Sequence, residues 1–193
     1  MERKIFKGLL FEGLCRENFE TAVAVQRQIF PREDGKQNFL DSLKNGPARG
    51  YGVWLIKLKD ECIGVIGLYH YPDYPEDAWG GWGGITEQNR GKGYGTAMMD
   101  FIENEAKERG FKNFRFFTDD VDNKNILNIS KKRGVMVELY SNPDDYYAAA
   151  VGNIVIVSKS LSAEPVQPWG NKYLGLKELG KKQNAFKQED AAR

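Results

Sequence analysis

Apolar positions recur along the chain with two different periods, which predict strands and helices in turn. Strands are expected where apolar and polar residues alternate, at residues 4–14, 51–59, 62–69, 78–86, 112–118, 135–140 and 148–158. Helices are expected where apolar residues recur at helical spacing, at residues 17–30, 36–44, 96–109 and 123–132. This order of elements predicts a mixed α/β fold in which helices pack on a sheet.

The composition changes after residue 161, where the periodic pattern ends. Two prolines and a glycine indicate a linker, residues 173–186 are compatible with a short helix, and residues 187–193 have the composition of a frayed tail. We therefore expect a single domain over residues 1–160 and a C-terminal extension over residues 161–193.

Composition and charge exclude several classes of protein. Of the 193 residues, 41% are hydrophobic and 28% are charged, which is ordinary for a globular protein. The 28 basic and 27 acidic residues leave a net charge of +1, so no global field favours nucleic acid or a membrane surface as a partner. Cys15 and Cys62 are too far apart in sequence to indicate a metal site or a disulfide framework. No apolar run approaches the roughly 18 residues of a membrane span, so we expect a cytoplasmic protein.

Residues 88–97, Gln-Asn-Arg-Gly-Lys-Gly-Tyr-Gly-Thr-Ala, connect a predicted strand to a predicted helix. The free N–H groups at the start of a helix attract anions, and glycines let a ligand approach the backbone. Arg90 and Lys92 add positive charge, so this turn is a candidate phosphate site. The spacing fits neither a P-loop nor a dinucleotide-binding fingerprint. The alternative is that the glycines only form a tight corner between strand and helix.

The segment from Arg90 to Gly95 resembles the Arg/Gln-x-x-Gly-x-Gly/Ala signature of the GNAT superfamily of acyl-CoA N-acyltransferases. Residues 123–135 are similar to a later helix of that family, and the order of elements from Ile5 to Lys159 also matches. The resemblance implies a single domain with a mostly antiparallel sheet that is splayed at a central bulge and has helices on both faces. The glycines of the strand before the turn favour such a bulge independently.

The same resemblance implies that the turn holds the pyrophosphate of acetyl-CoA, which is the co-substrate. Backbone groups of the preceding strand would contact the pantetheine arm, and an asparagine side chain would add a further contact. No metal is expected. The cofactor-binding residues implied in this way are Gly83, Ile85, Arg90, Gly91, Lys92, Gly93, Tyr94, Gly95, Thr96 and Asn123.

The sequence departs from the family pattern where many members have a tyrosine that reprotonates the departing thiolate. Ser130 occupies that position, and a serine hydroxyl is a much weaker acid, so a nearby tyrosine or water would take the role. Tyr140, Tyr146 and Tyr147 are substitutes that no motif supports. For the catalytic residues as a whole, the sequence offers only the weak candidates Glu87, Asp77 and Tyr140.

Acidic and aromatic residues surround the predicted site. Carboxylates are frequent at residues 73–77, 119–122 and 144–145; any one of them is most simply a solvated loop residue, but together they favour a cationic acceptor. A histidine is a candidate general base, although a lone histidine such as His70 is more often structural. Trp79 and Trp82 either fill the core or form a wall of the acceptor pocket, and the core is favoured for Trp82.

Together these observations predict an N-acetyltransferase in which a primary amine attacks acetyl-CoA directly. Neither cysteine has a recognisable activating base, which fits transfer without a covalent acyl-enzyme. The amine belongs to a small molecule or to a protein, and neither nucleic acid nor a membrane is expected as a partner. The alternative is a non-catalytic CoA-binding module of the same fold, which Ser130 in place of the tyrosine keeps open.

Overall fold

The computed structural model contains both strands and helices and describes residues 2–31, 34–45, 51–119, 128, 130–131, 133–145 and 154–175. The strands in this part of the chain are β1 (Arg3–Phe6), β2 (Leu9–Gly13), β3 (Gly52–Leu58), β4 (Glu61–His70), β5 (Asp77–Ile85), β6 (Asn113–Asp119), β7 (Met136–Tyr140) and β8 (Ile154–Ser160). The α-helices whose bounds the structure describes are α1 (Phe19–Ile29), α2 (Lys36–Asn45) and α3 (Tyr94–Glu108). The chain divides into two units, Met1–Arg115 with Ser160–Ala163, and Phe116–Lys159 with Glu164–Arg193.

The sheet of the first unit is mostly antiparallel. Strands β1 to β5 pair in chain order, each antiparallel to the next. Strand β6 joins β5 in parallel, with Asp77–Trp79 opposite Asn113–Arg115. Together with the helices, this sheet confirms the predicted mixed α/β class.

The first predicted strand is two strands. Residues 4–14 were expected to be continuous, but Lys7 and Gly8 form a two-residue turn that pairs Phe6 with Leu9. Both turn residues have positive φ, 48° and 78°, as a tight hairpin turn requires. The apolar alternation continues through the turn, so the sequence pattern alone does not show the break.

Helices pack on both faces of this sheet, as expected. Adjacent residues of β3 point to opposite faces: Leu55 joins a buried cluster with α1, and the ring of Trp54 packs edge-on against Phe101 of α3. Phe101 also stacks on Phe11 of β2, with ring centroids 3.7 Å apart. Both faces are therefore buried by apolar side chains, which fixes the strand register.

A bulge interrupts the pairing of β4 with β5. Val65 pairs with Gly84 and Gly67 pairs with Gly81, so Ile66 alone opposes two residues, Trp82 and Gly83. Trp82 has a φ of 53°, in the left-handed region that bulky residues rarely adopt. The predicted bulge is therefore present in the middle of the glycine-rich strand.

The second unit contains an antiparallel pair, β7 and β8. Beyond it, Trp169 is fully buried and its backbone N–H donates to Glu138 at 2.8 Å, so the predicted linker contains a packed residue. Asn128, Ser130 and Lys131 are helical, and the rest of the helix expected at 123–132 is largely outside the described residues. Most of the helix considered at 173–186 also lies outside them. The boundary at residue 160 stays a prediction.

Candidate functional site

The glycine-rich turn between β5 and α3 is open to a ligand. Gly91 and Gly93 have φ values of 76° and 84°, a conformation that favours glycine. A Cβ placed on either residue would meet no atom within 4 Å. Glycine is therefore favoured at both positions by the backbone conformation, and not by crowding from neighbouring atoms.

Helix α3 begins at this turn without a side-chain cap. Gly93 is the N-cap residue, no side chain makes a capping hydrogen bond, and the first turn contains no acidic residue. The first helical bond runs from the N–H of Ala97 to the carbonyl of Gly93, at 3.1 Å. Before this bond along the helix come the N–H groups of Tyr94, Gly95 and Thr96. Such a helix terminus combines hydrogen-bond donors with partial positive charge and suits a phosphate oxygen.

Two cationic side chains are held beside the same turn. Nε of Arg90 donates to the carbonyl of Ile85 at 3.0 Å, and Nζ of Lys92 donates to the carbonyl of Gln88 at 3.0 Å. Each bond uses one of the several donors that these groups carry. Positive charge and helix donors thus coincide in one exposed segment.

Buried polar residues anchor the segment that leads into the turn. The side chain of Asn89 is buried, and its Nδ2 donates to Oε1 of Glu61 at 3.0 Å and to Oγ1 of Thr86 at 3.2 Å. The N–H of Thr86 donates to the carbonyl of Ile63 at 2.8 Å. The sequence reasoning missed this anchor, because its partners lie some 25 residues apart in the chain and no local motif connects them.

The glycines of β5 let neighbouring groups approach closely. A Cβ on Gly83 would lie 2.5 Å from Cδ1 of Ile66, and a Cβ on Gly80 would lie 2.7 Å from Cζ of Phe114. Ile85 is buried and pairs with Gly64 at the end of the strand. Gly83 and Ile85 thus lie on one strand that leads directly into the turn.

Aromatic side chains cluster next to the bulge. Trp79 is fully buried, and its ring packs against Tyr71 at 5.4 Å and Tyr69 at 6.3 Å. Trp79 is therefore a core residue with no ring face open to an acceptor. Trp82 is half-buried and packs edge-on against Phe30, with ring centroids 5.8 Å apart.

The three catalytic candidates have different environments. Glu87 is exposed in the 3-10 turn that precedes the glycines. Asp77 is buried, and its Oδ1 lies 3.1 Å from Nε of Arg115 and accepts a hydrogen bond from Asn113 at 2.8 Å. Tyr140 is buried in the second unit and donates its hydroxyl proton to Asp145. Asp77 and Tyr140 therefore have structural partners, and Glu87 alone is open to solvent.

Several other predicted residues have no place in the described site. Ser130 is 1% exposed, so its hydroxyl is closed to solvent. Of the three carboxylates in the first acidic loop, two are ion-paired, Glu76 with Lys112 and Asp77 with Arg115. Outside the described residues lie Asp120, Asp122, Asn123, Tyr146 and Tyr147, and the side chain of Asp119 is not described.

His70 and Cys62 are packed against aromatic or other apolar side chains. The ring of His70 packs against Tyr51 and Phe111, with centroids 5.4 and 5.9 Å away. Burial raises the pKa of the Cys62 thiol, which keeps it protonated near neutral pH. Among the residues with a described position, no three His, Cys, Asp or Glu side chains are close enough to hold a metal ion. In that same part of the chain, no helix is sufficiently long and apolar to span a membrane.

A cavity of about 300 Å³ lies away from the predicted residues. It is lined by the end of α2, the start of β3, the residue that follows α3 and the segment before α1, and includes Cys15, Gly52 and Arg109. Arg109 is engaged there, since its Nη1 donates to the carbonyl of Tyr51 at 3.0 Å and its guanidinium lies over the ring of Trp54. No residue of the glycine-rich turn lines this cavity.

Comparisons with known proteins agree with the geometry. A family model described as Acetyltransferase (GNAT) family matches residues 16–134. Among solved structures, the chain is similar to RimL, a ribosomal L7/L12 alpha-N-protein acetyltransferase in complex with coenzyme A, with 11% identity, 84% of this chain and 100% of that chain covered, and a TM-score of 0.65.

Two further structures have the same fold. Ard1 from Thermoplasma volcanium is 18% identical, with 79% of this chain and 97% of that chain covered and a TM-score of 0.63. The ribosomal-protein-S18-alanine N-acetyltransferase from Escherichia coli is 12% identical, with 83% and 99% covered and a TM-score of 0.61. A comparison with curated protein sequences gave no match.

Proposed function

The chain belongs to the GNAT acetyltransferase family, and from this premise we propose that it transfers an acetyl group from acetyl-CoA to a primary amine. The observation that carries the proposal is the start of α3, which has no side-chain cap and where two left-handed glycines leave open space beside the N–H groups that precede the first intrahelical bond. An anion is the natural ligand of such a terminus. The pyrophosphate of acetyl-CoA supplies one.

The proposed binding residues are those of the turn, Arg90 to Thr96, with Gly83 and Ile85 on the preceding strand. The arm between pyrophosphate and sulfur contains about as many bonds in line as four residues of main chain, which is roughly 13 Å. An arm of that length running back along β5 from the turn passes Ile85 and Gly83, so the thioester carbonyl is proposed to lie beside these two residues. Asn123 stays a proposed contact that lies outside the described residues.

Acyl transfer by direct attack needs three things from this chain. It must hold the thioester still, accept a proton from the incoming ammonium, and return a proton to the sulfur. Glu87 is exposed near the turn and is the remaining carboxylate candidate for the proton acceptor, with bulk water as the other route. Cys62 is unsuited to a covalent intermediate because burial raises its pKa.

A cationic amine is the proposed acceptor, from either a small molecule or a protein. The support from carboxylates is limited to Asp73 in the first acidic loop, since its neighbours Glu76 and Asp77 are ion-paired. The half-buried ring of Trp82 offers a second kind of attraction for an ammonium. The names of RimL and of the S18 enzyme give ribosomal proteins as the acceptors of those two enzymes, so a protein amine is an acceptor to test.

The proposal is tested with acetyl-CoA and a pool of primary amines containing spermidine, free lysine and a short peptide with a free amino terminus. Thiol release and mass spectrometry of the pool report transfer and identify the acceptor. The expected result is thiol release that depends on an amine, with one component heavier by an acetyl group. Tight CoA binding without any acetylated product would favour the alternative, a CoA-binding module.

A further inference from the structure

One bulky residue in the glycine-rich strand β5 has a backbone conformation that usually requires glycine. Trp82 has a φ of 53°, whereas none of the four glycines beside it, at positions 80, 81, 83 and 84, has a positive φ. This conformation is unfavourable for a residue with a Cβ, so neighbouring contacts must maintain it. We infer that packing of the Trp82 ring maintains the bulge, and that Trp82 is a positioning residue for the acyl transfer. The inference rests on the proposed function.

The ring of Trp82 is held by residues on both sides of the connection between α1 and α2. It packs edge-on against Phe30, which directly follows α1, with ring centroids 5.8 Å apart. A Cβ placed on Gly35, which directly precedes α2, would be 3.2 Å from Cδ2 of Trp82. The N–H of Gly35 donates at 3.1 Å to Oε1 of Gln26, which is fully buried. The orientation of the ring is therefore fixed by packing.

The backbone of β5 approaches α1 closely two residues after Trp82. A Cβ placed on Gly84 would be 2.3 Å from Cγ2 of Ile29 and 3.4 Å from Cζ of Phe30. Trp82 also packs against the apolar cluster that α1 forms with β3 and β4. Trp82 and Gly84 therefore both face this helix. The ring cannot turn away without losing its contacts with Phe30 and with the cluster.

The conformation of Trp82 determines where the backbone of Gly83 points. Both residues oppose Ile66, as the two residues of a bulge do, and Gly83 is a proposed contact of the thioester carbonyl. A Cβ placed on Gly83 would be 2.5 Å from Cδ1 of Ile66 and 3.6 Å from Cε of Met98, so Gly83 faces α3. A change of φ at Trp82 would rotate the N–H and carbonyl groups of Gly83. Displacing reacting groups by about 1 Å lowers a rate about 100-fold, so the ring acts on the reaction through this backbone.

A positioning role and a direct contact with the acceptor are distinguishable by the Cβ that each substitution leaves. Trp82→Ala removes the ring and keeps the Cβ, so the left-handed conformation stays unfavourable and the ring no longer maintains it. Trp82→Gly removes both, and glycine adopts this conformation without strain. Trp82→Asn is a third variant, because asparagine tolerates the left-handed region better than alanine does. A ring that only contacts the acceptor would be lost equally in all three variants.

Steady-state kinetics with acetyl-CoA and the amine that the parent protein acetylates test the inference. We expect kcat to fall about 100-fold in Trp82→Ala, and to be at least about fivefold higher in Trp82→Gly and Trp82→Asn than in Trp82→Ala. Trp82→Phe keeps a ring in the contact and should stay within about fivefold of the parent protein. Calorimetric CoA affinity should change by less than about threefold in every variant, because the turn that begins α3 is anchored through Asn89.

The thermal midpoint tests the backbone conformation at position 82 independently of activity. In an ordinary strand glycine is less stable than alanine, so a midpoint at least about 2 °C higher in Trp82→Gly than in Trp82→Ala is the signature of a left-handed residue. Leu40→Ala in α2 is the control, because Leu40 packs against the same apolar cluster. It should lower the midpoint and leave kcat within about twofold. If Trp82→Ala does not fold, Trp82→Leu replaces it, since leucine fills more of the contact and also carries a Cβ.

The outcomes separate this inference from the proposed function. Equal kcat values in Trp82→Ala and Trp82→Gly, a kcat unchanged in Trp82→Ala, or a higher midpoint in Trp82→Ala than in Trp82→Gly would overturn the inference alone. So would a fall in kcat matched by lost CoA affinity, or an equal fall in Leu40→Ala. A parent protein that binds CoA and acetylates no amine would overturn both.

Discussion

Gly64 lies so close to Gly84 across the β4–β5 pair that a methyl group on Gly64 would stand 2.5 Å from the carbonyl oxygen of Gly84. A methyl group on Gly83 would also stand 2.5 Å from its nearest neighbour, but that neighbour is Cδ1 at the flexible end of Ile66. A backbone oxygen held in a sheet cannot yield, whereas a side-chain terminus can rotate away. The two methyl groups would therefore have equally short contacts, but they should lower the free energy of unfolding by different amounts.

The first prediction compares Gly64→Ala with Gly83→Ala. We expect Gly64→Ala to lower the free energy of unfolding by about 3 kcal/mol, and Gly83→Ala by about 1 kcal/mol, because overpacking costs more where the backbone must move. Urea unfolding followed by circular dichroism measures both. Equal losses, or a larger loss for Gly83→Ala, would show that the strand pair adjusts more freely than its register suggests.

The same region shows which features were predictable from sequence. The turn from Arg90 to Gly95 was recognisable because left-handed glycines and a helix start are local backbone requirements, readable within ten residues. The bond from Asn89 to Glu61 and the pairing of Asp77 with Arg115 were not, because each joins residues distant in sequence through the fold. The Lys7–Gly8 turn was missed because apolar alternation continues across it.

A second prediction concerns the anchor of the turn. Asn89→Ala removes hydrogen bonds to Glu61 and Thr86 from a buried site, so we expect the protein to lose about 1 to 3 kcal/mol of stability. CoA affinity should fall about tenfold, since the turn is then less well held. Gln37→Ala is the control, as it removes an exposed bond to Asp41 and should change stability by less than about 0.5 kcal/mol. Unchanged CoA affinity in Asn89→Ala would show that the turn is rigid without this anchor.

Asp77 is predicted to be a structural residue. Its carboxylate and the Arg115 guanidinium are both buried, and loss of one partner leaves the other charge uncompensated. We expect Asp77→Asn to destabilise the protein by about 3 kcal/mol in thermal unfolding, with little change in the pH dependence of turnover. A general base would behave in the opposite way: stability would be retained, and turnover would lose its acidic limb.

The pH dependence of stability is predicted at Glu12. The carboxylate is buried and lies 2.7 Å from Nζ of Lys57 and 2.8 Å from Nη2 of Arg3. The hydrogen bond from Lys57, and a further bond from Arg3, lower the pKa of Glu12 below its ordinary 4.5 despite the opposing effect of burial. A lowered pKa means that the folded protein binds this proton more weakly than the unfolded chain does. The resulting stability is present above about pH 4.5 and is lost as the pH falls through the lowered value.

Glu12→Gln isolates this contribution. We expect the variant to be about 1 to 3 kcal/mol less stable than the parent protein at pH 7, with the difference shrinking below pH 4. Denaturant unfolding across pH 3 to 7 measures it. If the stability difference between the parent protein and Glu12→Gln stays constant over this pH range, the lost stability comes from packing and not from the ionised carboxylate.

CoA binding at the turn that begins α3 is the central proposal. Gly93→Asp would add a side chain and a negative charge in the open space of this turn. Gly8→Asp is the matched control, because Gly8 has a similar φ of 78° and equally open surroundings in the β1–β2 turn. Both variants carry the same backbone strain, about 1 to 2 kcal/mol, so their stabilities should match.

Isothermal titration of CoA into the parent protein and the two folded variants is the most direct measurement. We expect binding to Gly8→Asp to equal that of the parent, and binding to Gly93→Asp to be weaker by at least about 100-fold, because a carboxylate would face the pyrophosphate. Unchanged CoA affinity in folded Gly93→Asp would contradict CoA binding at this turn.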